Sequence, residues 1–202
     1  MLIGLMGKSG SGKSIICSLL KELNDDIQVI DVDKIGHASH NDEEVRMKLL
    51  TYFGECIFNE DGSVNRKTLG SIVFSDDDKM KLLYDATYDY MVKVIDNLID
   101  KADITILDYA LIPKTKYYEL CDLRVLIEAP YNTRSLRVLK RDNISEEKYA
   151  IRDANSVDYT KYNFNCIIQN TSDIDSLRKA VGEFYDKNIV SRKFWSDNKR
   201  TY

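Results

Sequence analysis

The residues with the most chemical content open the chain. Gly7-Lys8-Ser9-Gly10-Ser11-Gly12-Lys13-Ser14 has the form G-x-x-x-x-G-K-[ST], the phosphate-binding P-loop. Glycines let the backbone turn tightly, so that successive N–H groups converge on one phosphate. A helix that starts at the end of such a turn adds the positive end of its dipole. Lys13 is placed to reach the β- and γ-phosphates, and the Ser14 hydroxyl to sit on Mg²⁺. Ser9, Gly10, Ser11, Gly12 and Ile15 complete the expected cradle. The ligand this chemistry selects is ATP with Mg²⁺. A glycine-rich surface loop is the alternative. The apolar run Leu2-Ile3-Gly4-Leu5-Met6 before the loop argues against it, as does the amphipathic Ile15-Ile16-Cys17-Ser18-Leu19-Leu20 after it. Together they supply strand, loop and helix, the context a phosphate loop needs.

Carboxylates form the second group. The short apolar run Ile27-Gln28-Val29-Ile30 ends in Asp31-Val32-Asp33. Two carboxylates one residue apart on an extended segment point to opposite sides. One then faces the phosphates, and the other caps the helix expected from Lys34. Asp33, at this strand end, is the candidate base for the proton of an attacking hydroxyl. Asp103-Ile104-Thr105-Ile106-Leu107-Asp108 is a further apolar strand ending in an acid, and Asp108 is the candidate second holder of Mg²⁺.

Cations form the third group. Arg134, Arg137 and Arg141 are three and four residues apart and share one helix face. Guanidiniums facing a phosphate loop suit a lid over transferring phosphates. The alternative is a solvated face paired with Asp142, Glu146 and Glu147. Arg66 is the candidate contact for an anionic acceptor, with a solvated surface arginine as the other reading.

These groups need a scaffold. Strands are expected at Leu2–Met6, at Ile27–Ile30, over 103–108, at Leu123–Glu128 and over 166–170. Strand, helix, strand in this order predicts a right-handed βαβ unit and a parallel sheet, with ligands outside the carboxyl ends of the strands. The fold class is therefore α/β, a P-loop NTPase fold with a five-stranded parallel sheet flanked by helices. The core is assigned to 1–40, 102–133 and 159–190. Residues 41–101 read as a helical acceptor-binding insertion: Val45, Leu49, Leu50 and Phe53 have helical spacing, a turn covers 58–63, a short helix runs from Asn65 to Phe74, and a long one follows Asp76. Residues 134–158 read as the lid. Asp173 caps a last helix with Ile174, Leu177, Val181 and Phe184 inward. The tail over 191–202 carries Phe194 and Trp195.

Composition narrows the classes. The chain of 202 residues, 44% hydrophobic, suits one domain with a substantial core. A net charge of -4 argues against a broad nucleic-acid footprint. Cys17, Cys56, Cys121 and Cys166 are widely spaced, as expected of reduced thiols in a cytoplasmic protein. With two histidines, a histidine-rich metal site is excluded. No apolar run reaches membrane-spanning length, and no secretory signal is expected.

The ordered set resembles the dephospho-coenzyme A kinase family, small P-loop kinases. The matching pieces are Ile3 to Ser14, Val29-Ile30-Asp31-Val32-Asp33, Asp61-Gly62-Ser63-Val64-Asn65-Arg66 with Leu69 and Val73-Phe74, Leu136-Arg137 with Lys140-Arg141-Asp142, and Ile167-Ile168-Gln169-Asn170. The resemblance implies that ATP phosphorylates the ribose 3′-hydroxyl of dephospho-coenzyme A. It makes Asp33 the base, Lys13 and Arg141 the ligands of the transferring phosphoryl group, and Ser14 the holder of Mg²⁺. Arg66 and Arg137 are the candidate substrate contacts. The sequence departs from the family pattern at Thr87-Tyr88, where a His-Pro pair is usual, and at Tyr109-Ala110-Leu111-Ile112-Pro113, where a glutamate is missing. Asn155 stands for a lid glutamine, and Arg152 is one position off the usual lid arginine. Two other readings stay open: a nucleoside or nucleoside monophosphate kinase, and a nucleotide-binding protein without catalysis. A monomer or small homo-oligomer is expected.

Overall fold

The structure is a computed structural model, and it describes residues 1–73, 76–171 and 173–191. Phe74, the expected end of the short helix, and the tail aromatics Phe194 and Trp195 lie outside the described residues. In chain order the elements are β1 (Leu2–Met6), α1 (Lys13–Leu23), β2 (Ile27–Asp31), α2 (Val32–Ser39), α3 (Glu43–Phe53), α4 (Arg66–Val73), α5 (Asp77–Ile99), β3 (Ile104–Asp108), α6 (Tyr117–Leu120), β4 (Leu123–Glu128), α7 (Tyr131–Asp142), α8 (Glu146–Ala154), β5 (Cys166–Gln169) and α9 (Ile174–Tyr185).

The five strands form one parallel sheet in the order β2-β3-β1-β4-β5. β1 is central, with Leu5 in register with Asp108 of β3 and Val125 of β4. A central strand covered on both faces reads as a continuous apolar run, and all five residues of β1 are buried. Its faces still alternate. Ile3 and Leu5 join Ile16, Leu20, Ile106, Val125, Ile127 and Val181 in one core that includes α1 and α9. Each of those eight side chains is at most 1% exposed, which stabilises the fold by about 1.5–3 kcal/mol apiece before entropy is charged. Gly4 faces the other way, where a Cβ would sit 2.8 Å from Cys121 Sγ.

Contacts divide the chain into two compact units. The first holds 1–29, 102–143 and the described residues from Val157 on; the second holds 30–101 and 144–156. In the second, α5 packs with α2, α3 and α4. Its core is Val45, Leu49, Ile57, Leu69, Val73 and Ala86. Its helices begin on their own acceptors: the side chains of Asp31, Asp42, Asp76 and Ser145 each accept a backbone N–H of the helix that follows. Asn143 ends α7 in the left-handed region at φ 49, a conformation asparagine tolerates. No described helix is long and apolar enough to cross a membrane.

Two local expectations are corrected. The helix after β2 starts at Val32, not Lys34, because Asp31 caps it through a bond from the Lys34 N–H at 3.1 Å. Ile174 is 51% exposed rather than inward, since it is the first residue of α9, ahead of the buried Leu177, Val181 and Phe184.

Candidate active site

The loop 7–14 runs from the end of β1 into α1, as its pattern requires. Gly12 is the N-cap of α1, at φ 98 and ψ 20, with no side chain bonding back to the helix. There is no acidic residue in the first turn of α1. An anion approaching this helix end therefore meets a lysine and the backbone dipoles of a first turn that carries no carboxylate of its own. The Lys13 ammonium donates to the Gly7 carbonyl at 3.0 Å, so it is folded back over the loop. Ser11 is 1% exposed, and its Oγ has no hydrogen-bond partner.

The loop's shape is set from outside. The Asn170 amide donates to the Ser11 carbonyl at 2.7 Å. In a trans peptide the N–H opposes the C=O, so the Gly12 N–H points away from Asn170. Arg137 donates to the Gly10 carbonyl at 3.1 Å and to Asn170 Oδ1 at 3.3 Å. A Cβ on Gly10 would lie 2.5 Å from the Arg134 carbonyl, and one on Gly12 would run into the Asn170 amide. Helix α7 thus lies directly against the loop.

The three expected arginines of α7 divide their tasks. Arg134 is only 7% exposed, and its Nε donates to the Ala129 carbonyl at 3.0 Å, where the chain turns from β4 into α7. Through that bond it braces the bend. Arg137 holds the loop backbone, as described above. Arg141 reaches Ser9 Oγ at 3.5 Å and pairs with Asp142 at 2.6 Å, combining the expected loop-facing role with the ion pair of the alternative reading.

The carboxylates resolve as follows. Asp31 is the cap, and Asp33 is the second residue of α2, helical rather than strand-end. Asp108 is the last residue of β3 and 8% exposed, with Cys17 Sγ of α1 3.9 Å from its Oδ2. Among the described residues, no group of three or more His, Cys, Asp or Glu side chains is gathered as for a metal. A metal here would be held by one or two protein oxygens together with phosphate oxygens, the habit of Mg²⁺.

In the second unit Arg66 is the first residue of α4. Its charge acts on His40, which is 8% exposed. Burial first, then the neighbouring His37 and Arg66, lower the His40 imidazole to about 4. Thr87, one of the departures from the family pattern, turns its hydroxyl back to the Leu83 carbonyl at 3.0 Å within α5. Tyr88 stacks at a tilt on Tyr84, ring centroids 4.9 Å apart. The bracing role of Asn170 and a second brace, Tyr159, were not legible in the sequence. Both partners lie more than 150 residues away along the chain (159 for Ser11 and Asn170, 152 for Gly7 and Tyr159), beyond the reach of any local pattern.

A parallel sheet in this order, with the phosphate loop at the tip of its central strand, defines a P-loop kinase fold. Solved structures agree on that fold. TT1252 from Thermus thermophilus superposes with a TM-score of 0.77 at 22% identity, covering 93% of this chain and 97% of that one. Dephospho-CoA kinase from Campylobacter jejuni gives 0.63 at 21% identity, covering 92% and 96%. Shikimate kinase from Bacteroides thetaiotaomicron gives 0.53 at 12%, covering 92% and 97%. In sequence, the dephospho-CoA kinase of Aquifex aeolicus is 29% identical over 195 residues, covering 92% of this chain and 96% of its own. The family model "CoaE: Dephospho-CoA kinase" matches residues 1–176. The chain belongs to the dephospho-CoA kinase family, which makes it a phosphotransferase.

Proposed function

We propose that this chain transfers the γ-phosphoryl group of ATP to the ribose 3′-hydroxyl of dephospho-coenzyme A. The observation that carries the reading is the anion-ready amino end of α1, with Lys13 folded over its loop, in a chain whose family match spans 1–176. Loop residues Ser9 to Ile15 bind the triphosphate. Lys13 and Arg141 hold the charge that develops on the transferring group, and Arg137 keeps the loop in shape beside them. Asp33 takes the proton of the attacking hydroxyl. Arg66 holds an anionic group of the acceptor. The orphaned Ser11 hydroxyl and the hard carboxylate of Asp108 both fit a site for phosphate and Mg²⁺. Bound Mg²⁺ neutralises phosphate charge, and Ser14 and Asp108 are the side chains that would hold it. In this reading residues 41–101 receive the acceptor and 134–158 form the lid. The protein acts in the cytoplasm, as a monomer or small homo-oligomer, with no nucleic-acid or membrane partner.

The test is a panel of acceptors with ATP and Mg²⁺: dephospho-coenzyme A, nucleosides and nucleoside monophosphates. Turnover of dephospho-coenzyme A is expected. The replaced acceptor-side residues at Thr87-Tyr88 and over 109–113 favour the nucleoside kinase as second reading, and turnover confined to a nucleoside would establish it. ATP binding without transfer to any acceptor would establish the non-catalytic one.

A further inference from the structure

We propose that Tyr159 is a positioning residue for phosphoryl transfer, acting through the Gly7 backbone on the Lys13 ammonium. The inference rests on the reading of Lys13 as a phosphate ligand. Tyr159 opens a single 3₁₀ turn, Tyr159–Lys161, whose cap is the Asp158 side chain accepting from the Thr160 N–H. The ring is buried, edge-on to Phe164 with centroids 5.9 Å apart.

The hydroxyl has two backbone partners, both far away in the chain. It donates to the Ala110 carbonyl at 2.8 Å and accepts from the Gly7 N–H at 3.1 Å. A phenol has one proton, so donation to Ala110 leaves a lone pair for Gly7. One oxygen therefore ties the loop that follows β1 to the loop that follows β3. Those two strand ends lead to Lys13 and end in Asp108, the candidate phosphate and metal residues.

Gly7 is held on its other side as well, because its carbonyl accepts the Lys13 ammonium at 3.0 Å. The N–H belongs to the Met6–Gly7 peptide and the carbonyl to the Gly7–Lys8 peptide. With the first plane pinned by Tyr159, the dihedrals of Gly7 set where the second lies, and the ammonium follows the carbonyl. Only glycine fits here, since a Cβ would lie 2.5 Å from the Ile127 carbonyl and 2.7 Å from Ser11 Oγ. Glycine is also the softest residue in the backbone. A soft hinge at the root of a phosphate loop needs a tether, and the Tyr159 hydroxyl provides it.

Tyr159→Phe keeps the ring and removes both bonds. It should lower kcat/KM for ATP about tenfold, because the Lys13 ammonium loses its fixed place at the transferring phosphate, while KM for dephospho-coenzyme A stays within about twofold. The decisive comparison is ATP affinity in a Lys13→Met background. If Tyr159 acts through Lys13, adding Tyr159→Phe there should change affinity by less than about twofold. An equal loss of ATP affinity with and without Lys13 would reduce Tyr159 to general support of the fold and overturn the proposal. So would wild-type ATP kinetics in Tyr159→Phe. A third measurement needs no variant: amide exchange of the nucleotide-free protein should show Gly7 N–H protected at least about a hundredfold over an unstructured peptide. Exchange of that amide at the peptide rate would also overturn the proposal. If dephospho-coenzyme A is not turned over at all, the proposed acceptor fails, and the ATP-affinity and exchange measurements still decide the role of Tyr159.

Discussion

Asn170→Ala tests how the phosphate loop is braced. The Asn170 side chain is 2% exposed; it donates to the Ser11 carbonyl at 2.7 Å and accepts from Arg137 at 3.3 Å. Truncation strands the buried Ser11 carbonyl, at a cost of about 1–3 kcal/mol. Arg137 keeps its bond to the Gly10 carbonyl at 3.1 Å, so its share of the loss is only about 0.5–1 kcal/mol. The expected destabilisation is about 1.5–4 kcal/mol, or roughly 3–16 °C in Tm for a chain of this size. Gly12→Ala supplies the second edge of a cycle. At φ 98 the alanine carries about 1–2 kcal/mol of left-handed strain, and its Cβ collides with the Asn170 amide. With Asn170 truncated, the nearest remaining side-chain atom is Arg137 Nη1 at 3.7 Å, an ordinary contact. The double variant should therefore be at least about 1 kcal/mol more stable than the sum of the single effects predicts. Urea unfolding of the four proteins without nucleotide measures this directly. Additive effects, or a shift below about 1 kcal/mol for Asn170→Ala alone, would refute the bracing argument.

Three further outcomes follow from the same geometry. Asp33→Asn should lower kcat by roughly a hundred- to ten-thousand-fold with ATP affinity nearly unchanged, since it removes one general base; unchanged turnover in a steady-state assay would take Asp33 out of the mechanism. Lys13→Ala should damage ATP binding and transfer together, as read by nucleotide titration alongside kcat; loss of kcat with intact affinity would show that the ammonium serves only the transition state. His40 titrates at about 4 in the folded chain against 6.5 in the unfolded one, so the unfolded state takes up the proton first and stability falls as pH drops from 6.5 towards 4. The loss should reach about 2–3 kcal/mol, after a discount for solvent screening. His40→Gln should flatten the urea midpoint across that window, and an unchanged slope would assign the acid sensitivity to other groups.

What could be read from the sequence was whatever is written locally. The loop 7–14 announces itself because its backbone geometry is set by glycines that lie close together in the sequence. The strands over 104–108 and 123–128 show as uninterrupted apolar runs, since both faces of a central parallel sheet are covered. The start of α2 is hidden in the sequence for a local reason too. Val32 is β-branched and follows an apolar strand, so it reads as more strand, while the cap that turns the chain is Asp31 itself. Spacing alone groups Arg134 with its helix neighbours. Its burial depends on where the Ala129-Pro130 bend places a carbonyl. Asn170 shows in the sequence as the end of the last strand and of a matching piece, but its brace on Ser11 does not, nor does that of Tyr159 on Gly7, because a hydrogen bond closed over more than 150 residues imposes no period on the chain between its ends.

The contrast between helix ends carries the functional argument furthest. Helices α2, α3, α5, α8 and α9 each close their first turn with a side-chain oxygen, from Asp31, Asp42, Asp76, Ser145 and Asp173. Each such cap is worth about 1 kcal/mol. Helix α1 forgoes it, placing a left-handed glycine at the cap and a lysine at the first position. The surrounding side chains do not make good the loss. Asn170 and Arg137 take up loop carbonyls, and Tyr159 takes the one N–H at the far end of the loop. None of these bonds involves an amide of the α1 first turn. Helix α7 also starts without a side-chain cap, on Pro130, but only α1 opens directly from the glycine-rich loop. A chain that caps five other helices in this way and leaves the loop's helix open, while its side chains take up the loop's carbonyls, is arranged for an acceptor that arrives from solution. The phosphate oxygens of ATP have that chemistry.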